Sequence, residues 1–165
     1  MAHIKQDQKV IKLADGIFGT TAAVYGAAYR DHTKKHFPVV IYAIAHLRKV
    51  LKTGGDEPII FKPIRGHIGG LHFPIGNRIF VDPRGSINNI VGIIAHELVH
   101  VEQHFLGKMQ VGITGFRIWE GQEYRYPRDE KEYRSQPWER EAYARQNALA
   151  SEAISDAIKA MNNNS

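Results

Sequence analysis

Residues 95–105 read AHELVHVEQHF. His96 and His100 lie four apart, Glu97 directly follows the first, and His104 repeats the interval. A helix advances about 1.5 Å and turns about 100° per residue, so positions four apart stack on one face about 6 Å from each other. Two imidazoles so placed can share one zinc ion, each at about 2.0–2.1 Å. Glu97, one position round, aims its carboxylate at a water beside such an ion rather than at the ion. His104 is two turns beyond His96, about 12 Å along the axis, so one ion cannot bridge them. His104 is therefore read as a rim residue. A longer H-E-x-x-H-x-x-G-x-x-H pattern also fails, with Gln at 103 and Leu at 106. Two histidines do not close a site, and a further ligand must come from elsewhere.

The surrounding pattern predicts a helix over about 87–106. Ser86 is a plausible N-cap, Ile87, Ile90, Val91, Ile94, Leu98, Val101 and Phe105 supply apolar positions, and Gly107 is a natural stop. Upstream, EPIIFKPIRG, GGLHFPIG and NRIFVDPRG are short β-rich runs divided by Gly and Pro, with turns expected at Gly69–Gly70 and Gly76–Asn77. Residues 7–30 carry a helical stripe through Val10, Leu13, Ile17, Val24 and Ala28, and Pro38 opens a second helix that Gly54–Gly55 closes. Residues 108–136 read as irregular, and a last helix is expected from about Pro137 to about Met161. The fold class is α+β: a small, mainly antiparallel sheet with N-terminal helices, the histidine helix and a C-terminal glutamate helix. The whole of 1–165 reads as a single domain, helical over 1–55, with the sheet and site helices in 56–165.

The last helix begins PWEREAYARQN, residues 137–147. Glu139 and Glu141 are about 200° apart around it, so only one faces the ion. Glu139 shares its face with Ala142, Tyr143 and Gln146, whereas Glu141 shares another with Arg145. The small Ala leaves room for an ion and a packed helix, which favours Glu139 over Glu141 as the third ligand. An oxyanion partner is drawn from Tyr124, Tyr126, Tyr133, Tyr143, Arg134 and His67, with Tyr143 preferred because it follows Glu139 by one turn. Trp119 and Trp138 are expected to pack.

AHELVHVEQ followed some forty residues later by PWEREAYA resembles the zincin metallopeptidases of the gluzincin type across about residues 71–150, and is similar both to the small minigluzincins and to bacterial effector-like metallopeptidase domains with a P-x-E-x-E-A helix. The resemblance implies a zinc (Zn2+) site of His96, His100 and Glu139, with Glu97 as general base. It also implies an antiparallel edge strand beside the histidine helix for a peptide substrate, and NRIFVDP at 77–83 is the candidate.

The chain carries no cysteine, which excludes disulfides, thiolate ligands and a thiol nucleophile. Its net charge of +5 is uneven, +6 over residues 1–65 and −1 over the remainder. The basic residues are scattered and no nucleic-acid fold is visible, so no nucleic-acid partner is expected. The apolar runs at 16–29 and 37–47 are shorter than the roughly 20 residues a spanning helix needs, so no stable membrane insertion is expected. The expected function is zinc-dependent peptide hydrolysis of a protein or peptide substrate. The alternatives are a secreted or phage-associated toxin effector with an immunity or inhibitor protein as partner, or a metal-binding protein without general proteolysis. No signal peptide is evident, so the expected location is the bacterial cytoplasm or a delivery route without one.

Overall fold

A computed structural model describes residues 24–25, 37–53, 57–65, 69–73, 78–112 and 116–163. The elements are β1 (Val24–Tyr25), α1 (Phe37–Val50), β2 (Ile59–Phe61), β3 (Gly70–Phe73), β4 (Arg78–Val81), α2 (Ile87–Phe105), β5 (Met109–Val111), β6 (Arg117–Trp119), β7 (Gln122–Tyr124), α3 (Glu130–Ser135) and α4 (Pro137–Asn163). The architecture is α+β.

The run FPVVIYAIAHL becomes α1, and its residues from Val40 to Ala45, with Leu47, are buried on every side. A helix apolar all round belongs inside a core. Arg48 near its end is also buried; its guanidinium donates to the Glu57 carbonyl, and its Nε lies 3.6 Å from the Glu57 carboxylate. α1, β2, β4, α2 and α4 share one apolar cluster, so residues before and after position 55 pack in the same core. Among the described residues no helix is long and apolar enough to cross a membrane.

Four strands form a sheet in the order β1-β2-β4-β3, and β5-β6-β7 form a second. Three of the five pairings are antiparallel, but β1 with β2 and β2 with β4 are parallel. Parallel neighbours need a crossover, which α1 supplies between β1 and β2. This corrects the predicted helix over 7–30: Val24 and Tyr25 pair with Ile59 and Ile60, and the remainder of that stretch lies outside the described residues. Gly54–Gly55 and Gly76–Asn77 also lie outside them, and Gly70 begins a strand rather than a turn.

A second correction concerns the edge. The run 77–83 yields β4, which lies between β2 and β3, and its buried Ile79 and Val81 point into the core. Among the described residues β1 and β3 end this sheet, and the one beside α2 is β3, antiparallel to β4 with His72 opposite Ile79. A third concerns 108–136, which is not irregular but holds the second sheet and α3. Met109, Trp119 and Trp138, with Tyr124 against them, give this sheet its own small core, the packing role expected of both tryptophans.

α4 is mostly polar, and its buried positions include Ala142, Ala150, Ala153 and Ala157. This stripe of small side chains lets α4 lie close along α2 and α1. Ala142 is fully buried one turn after Glu139. Ala142→Leu should therefore force the helices apart and lower the unfolding free energy by about 1–3 kcal/mol, measured by denaturant titration.

Candidate metal centre

α2 forms as its sequence signals. The Ser86 hydroxyl accepts the Asn89 N–H at 3.2 Å, and Gly107 ends the helix with φ +71°. Left-handed backbone there is natural for glycine. At the other side of the site Pro137 opens α4, where its missing N–H costs nothing. The two helices bring His96, His100 and Glu139 together, all largely buried.

The His96 and His100 Nε2 atoms are 3.1 Å apart. Glu139 places Oε2 3.2 Å from the first and Oε1 3.3 Å from the second. The other ring nitrogens face amide oxygens, His96 Nδ1 to Gln146 Oε1 and His100 Nδ1 to Gln103 Oε1, each at 2.9 Å. Gln103 is oriented independently, since its Nε2 donates to the Trp138 carbonyl at 3.0 Å. Its oxygen then accepts from His100, so Nδ1 carries a proton and Nε2 is turned toward the cluster. With both imidazoles neutral and protonated at Nδ1, the two Nε2 atoms and the carboxylate present only acceptors to one another; without a metal ion, a further proton on an imidazole is shared with Glu139 instead. A cation at their centre satisfies all three, and these three residues could hold a metal ion.

The charges of the cluster respond to one another. Burial disfavours the Glu139 charge, but hydrogen bonds with His100 and His96 prevail and hold its carboxyl well below the usual range. Burial likewise opposes the His100 charge, yet the Glu139 hydrogen bond and charge raise its pKa. For Glu97 burial dominates and pushes the carboxyl up, against the His100 and His96 charges and the His72 backbone hydrogen bond.

Glu97 lines the same cavity of about 520 Å³ as His96, His100 and Glu139, and the edge strand β3 forms one wall of it. A Cβ on Gly70 would lie 2.5 Å from Ile93 Cγ2 and 2.8 Å from Glu97 Oε1, so glycine is what lets this strand approach the helix. The predicted residues divide clearly. Glu141 turns away from the cluster, accepting from Gln103, Lys108 and Arg145 at 3.2–3.3 Å. Tyr143 lies with its ring centroid 4.6 Å from that of His96. Tyr133 hydrogen-bonds Glu139, and burial together with that carboxylate raises its pKa. Tyr126 and Arg134 line the cavity, whereas Tyr124 packs edge-on against Trp138 and His67 lies outside the described residues.

Sequence reasoning missed the glutamine at each histidine, though Gln103 is one turn after His100 and Gln146 shares the face of Glu139. His104 stands apart from the cluster, edge-on to His72 with centroids 5.5 Å apart, its Nε2 buried without a partner. Compared with protein-family models, curated proteins and solved structures, the chain finds no match.

Two expectations follow from this geometry. His96→Ala, His100→Ala and Glu139→Ala should each abolish metal binding measured by mass spectrometry, while Glu141→Ala and His104→Ala should retain about one ion per chain. Burial, aided by the Arg117 and His100 charges, lowers the His104 pKa from 6.5 to about 4 despite the Met109 backbone hydrogen bond. Between those values the unfolded chain binds the extra proton, so this contribution to stability is complete above about pH 6.5 and lost as pH falls toward 4. Thermal melts of metal-free protein should accordingly fall less steeply with acid in His104→Leu than in wild type.

Proposed function

We propose that this chain is a zinc-dependent metallopeptidase of the gluzincin type. The observation that carries the proposal is the convergence of the His96 and His100 Nε2 atoms and the Glu139 carboxylate, with Glu97 beside them in one cleft. The donor separations of 3.1–3.3 Å support zinc. A tetrahedral ion bound at about 2.0–2.1 Å has ligands about 3.4 Å apart. Two nitrogens and an oxygen are a zinc donor set, and three protein ligands leave a position for chemistry. When bound, zinc would supply Lewis acidity, polarising a carbonyl and making water a stronger acid.

The protein's residues do the rest. Glu97 takes a proton from the attacking water and delivers it to the nitrogen of the leaving amine as the peptide C–N bond breaks. The His72 backbone N–H holds the Glu97 carboxylate. β3 has a strand neighbour on one side only among the described residues, so a polypeptide substrate can pair with its other edge. Two phenols are available for the developing oxyanion. Tyr143, favoured from sequence, lies against the His96 ring, whereas the Tyr133 hydroxyl reaches a ligand carboxylate inside the cleft. We assign the role to Tyr133.

Zinc content and cleavage of unfolded casein, read on the same samples, test this function. Wild type should bind zinc and cleave; zinc without cleavage of casein or of a proteome-derived peptide mixture would overturn the peptidase reading. Glu97→Ala should keep zinc and lose turnover, and Gly70→Ala should keep zinc with turnover sharply reduced. Tyr133→Phe should lower kcat by about 10²–10³ with little change in KM. A comparable loss in Tyr143→Phe alone would return the oxyanion role to that residue.

A further inference from the structure

The cleft contains two arginines in different states. Arg134 has its Nε 2.8 Å from Glu130 and its guanidinium over the Tyr143 ring. Arg117, on β6, has no carboxylate partner among the described residues. Its Nη1 lies 3.5 Å from Met109 Sδ, and its Cζ lies 5.5 Å from the centroid of the Trp138 ring. Met109 and Trp138 are core residues, so the guanidinium has an apolar backing and an open cleft before it. Trp138 directly precedes Glu139, which ties this backing to the metal-ligating turn.

The charges around the cleft sharpen the point. A divalent ion offsets Glu97 and Glu139, and Arg134 offsets Glu130. Among the described residues, Arg117 is then the remaining lining charge. A partly desolvated guanidinium gains most from a carboxylate, which its planar fork can meet with two parallel hydrogen bonds. The cation–π contact with the Trp138 indole, together with the Met109 contact, restricts where the fork can lie.

We propose that Arg117 is a specificity residue that recognises a carboxylate on the substrate. The group is an Asp or Glu side chain near the bond to be cut, or the free C-terminus of a peptide. The proposal builds on the peptidase reading, but its first test needs no turnover. The Nε–H signal of Arg117, identified as the nitrogen-15 resonance missing from Arg117→Lys, is followed in zinc-loaded protein. The probes are N-acetylglutamate α-amide for a side-chain carboxylate, N-acetylglycylglycine for a C-terminal one, and N-acetylglutamine amide as the neutral control. At least one carboxylate probe should move the signal and the neutral control should not. Arg117→Met should weaken that probe's binding by about tenfold or more, as loss of a charge-assisted hydrogen bond requires. No response to either carboxylate, a response equal to the control, or undiminished binding in Arg117→Met would each overturn the proposal.

The second test maps cuts in a proteome-derived peptide mixture. Wild-type cuts should be enriched for Asp or Glu at one fixed position, or should cluster at peptide C-termini, which separates the two sources. Arg117→Met should lose that bias with its zinc content unchanged, and Arg117→Lys should retain part of it. Cutting without acidic or terminal bias defeats this proposal and leaves the peptidase reading standing. Carboxylate binding at Arg117 without any cutting does the reverse.

Discussion

Two imidazole Nε2 atoms and a carboxylate, all buried, converge within 3.1–3.3 Å of one another. Such a group needs positive charge at its centre, either a bound cation or a proton carried by an imidazole. The packing of α2 against α4 creates it, and several contacts hold the helices in register. Arg145 of α4 meets Glu102 of α2 at 2.6 Å, Gln103 of α2 donates to the Trp138 carbonyl, and Gln146 of α4 faces His96 of α2. Gln103 thereby has two tasks: it fixes the proton on His100 and ties α2 to the first turn of α4. The site and the fold consequently share their interactions. A change that alters the approach of the helices also alters the spacing of the three donor groups.

The features legible in the sequence were those governed by local backbone physics. Ser86 and Gly107 marked the limits of α2 because capping and left-handed backbone act within a few residues. Glu139 could be preferred to Glu141 because a helix fixes which residues share a face, and its small neighbour Ala142 is buried as a close contact requires. The geometry that separates His104 from the other two histidines is equally local.

The illegible features were those decided by distant partners. β1 is two residues within a small-residue run of helical spacing, and its strand character comes from pairing with Ile59 and Ile60. The family resemblance implies an edge strand without fixing which run supplies it, and in the candidate run 77–83 Ile79 and Val81 turned inward are what an interior strand presents. The strand actually at the edge, GLHF, carries a weaker pattern, and its position depends on the close approach allowed by Gly70. β5, β6 and β7 are three residues each, amid charged sequence, and are stabilised by an indole-rich cluster instead of a periodic face.

The second sheet packs on a core separate from the one beneath the histidines, and Trp138 belongs to that core while its neighbour Glu139 belongs to the site. Such a division makes the molecule modular in an evolutionary sense. Lengthening or replacing the strands between Met109 and Tyr124 can remodel one wall of the cleft without repacking the body that positions the donors. Changes confined to this appended layer would then alter what lines the cleft while leaving the His96, His100 and Glu139 cluster in place.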